Sequence, residues 1–187
     1  MNILIDTLPQ EYEGLKINTN FRSFILFELL MQDNSLKQEE KVLLSLRLFY
    51  NVEEVKDLQK AIKGILWFYS GGKEKKEKRV ESSNKKEKKQ IYSFEYDAEL
   101  IYSAFLGQYK IDLNEVEYLH WWKFKSLFEG LNDENKICQY MSYRAMDLSK
   151  IKDKEQKKYY QELKRKVALP DNRSTKEKEQ DFAEALW

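Results

Sequence analysis

The sequence has 187 residues, of which 42% are hydrophobic and 35% are charged, which suits one globular domain with irregular extensions. The net charge of +1 gives no indication of a polyanionic partner, and the single cysteine, Cys138, excludes an internal disulfide and fits a reducing compartment. We see neither a signal peptide nor an apolar run of the roughly 20 residues that a membrane helix needs, and we therefore expect a cytoplasmic protein.

A small N-terminal β-hairpin and a first helix open the predicted fold. The run 3–5 and the alternation over 12–17 suit a hairpin that turns at Gly14. Asn20 is a candidate N-cap for a helix over 21–31.

Two further helices are predicted over 36–50 and 53–69, where apolar residues recur at helical spacing. Ser35 can cap the first of them, and Gly71-Gly72 ends the second. The residues predicted to form their apolar stripes are Leu36, Val42, Leu43, Leu46, Phe49 and Tyr50, and then Val55, Leu58, Ala61, Ile62, Ile65, Leu66 and Phe68.

The composition changes sharply after these helices. Residues 73–89 hold nine basic and four acidic residues, and Val80 is their only large apolar side chain. Such a segment buries too little apolar surface to offset its loss of conformational entropy on ordering. We therefore predict a charged, disordered or loosely helical linker here.

Helical patterns return in the second half. The alternation over 92–96 suits a short strand. Four helices are then predicted, from Asp97 to about 108, from Asp112 or Asn114 to Gly130, from 133 to 145, and from 149 to 168, before Pro170.

These elements predict a mainly α fold: a helical, bundle-like domain with a small N-terminal β-hairpin and a charged disordered linker. Residues 1–72 supply the hairpin and the first helices, and 73–90 form the linker. We expect the helices of 91–170 to pack with the first part as one domain, and 171–187 to form a polar tail.

No motif in the sequence indicates catalysis. His120 and Cys138 lack the further ligands that a zinc site needs. A Cys/His nucleophilic pair is the alternative, but a helical histidine and a separate buried thiol are the simpler interpretation. There is no glycine-rich phosphate loop and no nucleophile elbow. We expect a protein that is not an enzyme and that uses no cofactor or metal.

The predicted helix over 114–129 is apolar on almost all sides, which is typical of a central core helix or of a helix with one face left for a partner. Trp121, Phe124 and Phe128 share its broad apolar face. Tyr118 and Trp122 point nearly the other way, and together with Trp187 they are candidate partner-binding residues.

The predicted helix 149–168 carries a basic side, formed by Lys154, Lys157, Lys158, Lys164 and Arg165, opposite an apolar stripe that includes Tyr159 and Leu163. The alternative function is therefore a nucleic-acid-binding helical module that uses this helix and the 73–89 run. A solvated charged face is the simpler interpretation.

Several motifs in this order resemble a known family. They are Ile17-Asn18-Thr19-Asn20-Phe21-Arg22, Ile65-Leu66-Trp67-Phe68-Tyr69, Tyr96-Asp97-Ala98-Glu99-Leu100-Ile101-Tyr102, Leu119-His120-Trp121-Trp122-Lys123-Phe124, Leu127-Phe128-Glu129-Gly130-Leu131 and Asp147-Leu148-Ser149. Together with the segments between them, they resemble the bacteriophage tail proteins of the Gp-fifteen type.

The resemblance implies a tail assembly chaperone of a siphophage or prophage, working in the host bacterial cytoplasm. Its implied partners are the tape-measure protein and other tail assembly proteins, with self-association as a further option. Neither a membrane nor a nucleic acid is implied, and the family brings no catalytic residues. The motif residues Trp67, Trp121, Phe124 and Phe128 are then expected in the core.

Overall fold

The computed structural model describes residues 2–51, 55–73 and 90–170. Most of the predicted linker and the whole predicted tail, including Trp187, therefore lie outside the described residues. None of the described helices is both long and apolar enough to cross a membrane. The elements are β1 (Glu11–Tyr12), β2 (Leu15–Lys16), α1 (Phe21–Gln32), α2 (Gln38–Phe49), α3 (Leu58–Tyr69), α4 (Ala98–Tyr109), α5 (Trp121–Glu129), α6 (Lys136–Ala145), a short 3-10 helix (Leu148–Lys150) and α7 (Lys154–Lys166).

The predicted mainly α class and the N-terminal hairpin are confirmed. Strands β1 and β2 pair antiparallel, with Tyr12 opposite Leu15, and Gly14 in the turn between them has a φ of +79°. The predicted extended run at 3–5 is wrong: these residues turn, because the backbone N–H groups of Ile5 and Asp6 both donate to Asn2 O.

The starts of the helices are set by local caps. Asn20 caps α1 as predicted, with its Oδ1 accepting from the Arg22 N–H at 3.0 Å. Helix α3 begins five residues later than predicted, because Asp57 Oδ1 accepts from the Lys60 N–H. Ser35 does not cap α2, since its side chain donates to Asp33.

The predicted helix start at 112 or 114 is wrong, because α5 begins only at Trp121. The preceding segment lies along the N-terminus of α1, where Arg22 Nη2 donates to Leu113 O at 2.7 Å and Asn20 Nδ2 donates to Glu117 O at 3.2 Å. These side chains occupy carbonyl groups that a helix would need for its own backbone hydrogen bonds.

Two other predictions in the second half also need correction. The predicted strand over 92–96 is not formed, and the chain turns over 94–97 instead, where Ser93 Oγ accepts from the N–H groups of Glu95 and Tyr96. The last predicted helix is divided in two: the 3-10 helix is capped by Asp147, and α7 is capped by Asp153 Oδ1, which accepts from the Gln156 N–H.

One aromatic core joins elements from both sides of the segment 74–89. Phe21 of α1 stacks on Phe124 of α5 at 5.0 Å between ring centroids, and Phe24 stacks on Trp121 at 5.1 Å. The largest side chains that are fully buried are Phe24, Phe49, Phe68, Phe105, Phe124 and Ile137.

A buried ion pair connects the elements of the second half. Arg144 at the end of α6 forms two hydrogen bonds, at 2.6 and 2.9 Å, with the carboxylate of Asp97, the N-cap of α4. The same guanidinium donates to Val167 O at 2.5 Å and to Ile91 O at 3.1 Å. Arg144 thereby connects the start of α4 and the ends of α6 and α7 to the point where the described chain resumes.

We predict that Arg144→Met strongly destabilises the fold. It would leave the Asp97 carboxylate buried without a counter-charge and two carbonyls without their donor, at a cost of about 3–5 kcal/mol in the free energy of unfolding, which urea denaturation measures. Lys60→Met is the control, because Lys60 pairs with Glu13 at 3.8 Å on the exposed surface and should cost less than about 1 kcal/mol. Equal losses in the two variants would contradict a structural role for the buried pair.

Candidate protein-binding surface

The aromatic residues that the sequence singled out as family motifs belong to one core or pack against it. Trp121 and Phe124 are buried, while Trp67 and Phe128 are half-buried against the same core. Trp121 Nε1 donates to Tyr69 O at 3.3 Å. Trp122, the next residue, also donates its indole N–H to a carbonyl at the end of α3.

Trp122 is only 8% exposed, so its predicted outward orientation is wrong. Its Nε1 donates to Phe68 O at 2.7 Å, and its ring packs 5.2 Å from that of Trp67. The two indoles thus satisfy carbonyl groups of the last turn of α3 that have no partner within the helix. Of the two predicted explanations for a helix that is apolar on almost all sides, α5 fits the central core helix, because it packs against α1 and against α3.

Tyr118 remains 49% exposed, but its hydroxyl lies 2.7 Å from Thr19 Oγ1. Since Trp122 is buried and Trp187 lies outside the described residues, the structure does not bring the three candidate partner-binding residues together on one surface.

His120 is the N-cap of α5. Its Nδ1 accepts from the Trp122 N–H at 3.1 Å, so Nε2 carries the proton and donates to Pro9 O at 3.0 Å. Burial lowers the pKa of His120, and the positive charge of Lys123 lowers it further, against the opposing effect of the hydrogen bond to Pro9. The imidazole is therefore held neutral, in a structural role.

Cys138 is also buried, and burial raises the pKa of its thiol, which disfavours the reactive thiolate. Within the described ranges, no three His, Cys, Asp or Glu side chains are grouped so that they could hold a metal ion.

Helix α7, which carries the predicted basic side, has no buried residue. Tyr159 from its apolar stripe is exposed, while Leu163 is half-buried. Lys164, one of its basic residues, donates from Nζ to Met146 O and so ties α7 to the segment after α6.

Helix α2 buries two polar residues beside Leu46 and Phe49, and it leaves three apolar residues exposed. Lys41 is only 5% exposed, and its Nζ donates to Met31 O at the end of α1. Ser45 is buried too, with its hydroxyl donating to Lys41 O. Val42 and Leu43, which were predicted to lie on the apolar stripe of this helix, are exposed.

Five large apolar side chains of α1 and α2 are each more than one third exposed, and we call this set of side chains the outer α1–α2 surface. Leu26 of α1 is 52% exposed and Leu43 of α2 is 44% exposed. The bond from Lys41 to the Met31 carbonyl holds the end of α1 beside the start of α2. The members of this surface are Leu26, Met31, Val42, Leu43 and Leu44.

Sequence reasoning missed this surface because it placed Val42 and Leu43 on the apolar stripe of the predicted helix 36–50 and did not single out Leu26 or Leu44. A signal was present in the run Val42-Leu43-Leu44. Three consecutive helical residues span about 200° of the helix circumference, so they cannot all face one core. Helix α1 has only Arg22 and Glu28 as charged residues, which is too few for a fully solvated outer face.

A family model described as "Bacteriophage Gp15 protein" matches residues 4–169 of the chain. Neither the curated proteins nor the solved structures that were compared contain a match. The matched range covers every helix described above and stops short of the last residues of the sequence.

We predict that Gly72→Ala costs clearly more stability than Gly71→Ala. Both glycines have positive φ, +72° and +75°, so each alanine pays about 1 kcal/mol of backbone strain. A Cβ at position 72 would lie 2.7 Å from Trp122 Cη2, whereas one at position 71 meets nothing within 4 Å. Overpacking should add about 1–3 kcal/mol at position 72. Thermal unfolding of the two variants measures the difference, and equal melting temperatures would contradict the close packing of Trp122 on this turn.

We predict that His120 makes the fold less stable as the pH falls below its ordinary pKa of 6.5. Since the folded pKa is lowered, the unfolded chain binds the proton more readily, and the free energy of unfolding decreases as the pH falls from 6.5 toward the folded pKa. Urea midpoints between pH 7.5 and 5, about one unit or more on either side, should decline more steeply for the wild type than for His120→Asn, which retains a capping side chain without this titration. Parallel profiles would show that the histidine does not contribute to the pH dependence.

Proposed function

The chain belongs to the bacteriophage Gp15 protein family, and we propose that it is a tail assembly chaperone that holds the tape-measure protein while the phage tail is built. Family membership indicates a structural or assembly protein of a bacteriophage. The chaperone role, the tape-measure client and a site of action in the host cytoplasm with other tail proteins belong to the proposal, as does a mechanism without catalysis.

The outer α1–α2 surface is the observation that carries the proposal. A tape-measure protein is long and helical, and an amphipathic helix binds through apolar residues spaced at i, i+3 or i+4. Leu43 and Leu44, with Leu26 on the adjacent helix, offer exposed apolar contacts to such a helix. Apolar side chains left exposed on a stable scaffold are a usual mark of a protein-interaction site.

Exposed charged residues lie on the same helix as three of these side chains, which would keep the chaperone dispersed while the apolar side chains are exposed. Lys37, Glu39, Glu40 and Arg47 of the second helix and its N-cap are all exposed. Their signs are mixed, so the surface does not select a strongly charged client.

The size of the surface suits reversible holding. Complete burial of one leucine contributes about 1.5–3 kcal/mol, and the five side chains are already partly covered. The loss of translational and rotational freedom on association offsets several kcal/mol of that gain. A single copy should therefore bind weakly enough for tail-tube subunits to displace it, and several copies, whether or not they self-associate, would be needed along a long client.

We predict that Leu43→Glu combined with Leu44→Glu abolishes client binding without unfolding the chaperone. Replacing two apolar contacts by charges should cost about 3 kcal/mol or more, roughly a hundredfold in Kd. The measurement is the soluble, co-purifying fraction of the tape-measure protein from the same phage when the two proteins are expressed together.

Leu106→Glu is the matched control, because Leu106 is similarly exposed but lies on α4. The control should keep the client as soluble as the wild type does, and circular dichroism should show equal helicity in all three proteins. The proposal fails if the wild type leaves the client insoluble and unbound, or if the double variant holds it as well as the wild type.

A further inference from the structure

Four of the six basic residues of helix α7 lie on one side of it. At about 100° per residue, these four side chains fall within an arc of about 100°, and Gln161 lies among them. All five side chains are exposed. We call the four cations the basic stripe of α7, and they are Lys154, Lys157, Lys158 and Arg165.

The basic stripe of α7 forms no ion pair with any residue that the structure describes. Glu155 and Glu162, the acidic residues of the same helix, lie about 40–60° beyond one edge of the stripe. The charge of the second half is also unevenly distributed. Residues 150–170 hold eight basic and three acidic residues (8 − 3 = +5), whereas 90–149 hold five basic and ten acidic residues (5 − 10 = −5). Such asymmetry indicates a charged partner.

The stripe is unfavourable for the helix that carries it. Lys154 is the first residue of α7, where the partial positive charge of a helix N-terminus favours acidic side chains and repels cations. Lys158 follows four residues later, and like charges at that spacing repel each other across one turn. Local preferences that are broken without a gain for the fold are expected where side chains serve binding.

The opposite side of α7 fixes the direction in which the stripe points. Tyr160 and Leu163 are half-buried on that side, and Val167, which follows the helix, is buried. The carbonyl of Val167 also accepts from the guanidinium of Arg144 on α6. Because these contacts hold α7 against α6, the basic stripe faces solvent.

We infer that the basic stripe of α7 binds the phosphate backbone of duplex DNA, without regard to base sequence. From Lys154 to Arg165 the stripe spans about 16 Å of helix axis, a length over which duplex DNA carries about ten negative charges. Each cation can therefore meet a phosphate, and the release of counterions favours binding without any apolar contact. The inference is independent of the client-binding role, because α7 contributes no side chain to the outer α1–α2 surface.

Other anionic partners fit the stripe less well. An acidic protein helix would gain only exposed ion pairs, which contribute little, because the stripe has no apolar side chain. A helix on a membrane surface buries its apolar side in the bilayer, but in α7 that side packs on the protein. Single strands stack their bases on aromatic side chains, which the stripe lacks. Duplex RNA is recognised largely through its 2′-hydroxyl groups, for which the stripe offers only Gln161 as an uncharged polar side chain.

The test measures the fluorescence anisotropy of a labelled DNA duplex as the full chain is added at several salt concentrations. Four phosphate contacts predict that the logarithm of Kd rises with the logarithm of the salt concentration with a slope of about 3.6. The Kd of the wild type should therefore increase about a hundredfold between about 50 and 200 mM salt.

We predict that neutralising the stripe weakens DNA binding at least about tenfold at about 50 mM salt and leaves a nearly flat salt dependence. Glutamine has a helix propensity close to that of lysine and arginine, so circular dichroism should show unchanged helicity. The changes of this stripe variant are Lys154→Gln, Lys157→Gln, Lys158→Gln and Arg165→Gln.

A matched control removes the same number of positive charges from exposed lysines outside α7. It should bind the DNA duplex within about twofold of the wild type and keep the same salt dependence, because its phosphate contacts are intact. The changes of the control variant are Lys16→Gln, Lys56→Gln, Lys63→Gln and Lys123→Gln.

Several outcomes would overturn the inference. Equal losses in the two variants would show that binding follows the net charge of the chain. Affinity that survives in the stripe variant would assign binding to other cations, such as those of 73–89, which that variant retains. A wild type that does not bind the duplex at about 50 mM salt would also overturn it. Tighter binding of an RNA duplex of the same sequence, of polyglutamate or of phosphatidylglycerol vesicles would assign the stripe to that partner instead.

Discussion

The packing of this protein depends on a reciprocal backbone contact between the starts of two helices. The Phe21 N–H donates to Leu119 O at 2.9 Å, and the Trp121 N–H donates to Thr19 O at 2.8 Å, so Asn20 and His120 form an isolated antiparallel bridge. Both bridge residues are also N-caps. The contact therefore satisfies donors that each helix start leaves without an intrahelical partner, and it aligns α1 and α5 at the same time.

The crossed aromatic pairs follow from that alignment. Because the bridge sets the two helix starts side by side, Phe21 meets Phe124 and Phe24 meets Trp121, the fourth residue of each helix stacking on the first of the other. From there the Trp121-Trp122 pair reaches the last carbonyls of α3. Aromatic side chains thus make up much of the interior, while Leu26 of α1 and Leu43 and Leu44 of α2 stay exposed.

Local signals in the sequence predicted what depends on near neighbours, and failed where distant residues compete for the backbone. The mainly helical class, the turn at Gly14 and the Asn20 cap rest on residues within a few positions of each other. The start of α5 could not be predicted, because Arg22 and Asn20 bind carbonyls some 90 residues away. The candidate surface was missed for a related reason: periodicity places Leu43 on an apolar stripe, but only the packing shows that the buried side of α2 carries Lys41.

The bridge between Asn20 and His120 also bears on the order of events during synthesis. The two residues are 100 positions apart, so helices α1 to α3 leave the ribosome without the two tryptophans and Phe124 that complete their core. Closing a loop of this length costs conformational entropy that grows only with the logarithm of the loop, by about 0.6 kcal/mol for each doubling. The number of residues between Lys73 and Gln90 can therefore change at little cost in the free energy of folding. The core contacts of α1 to α3 with α5, by contrast, can form only after α5 has been translated.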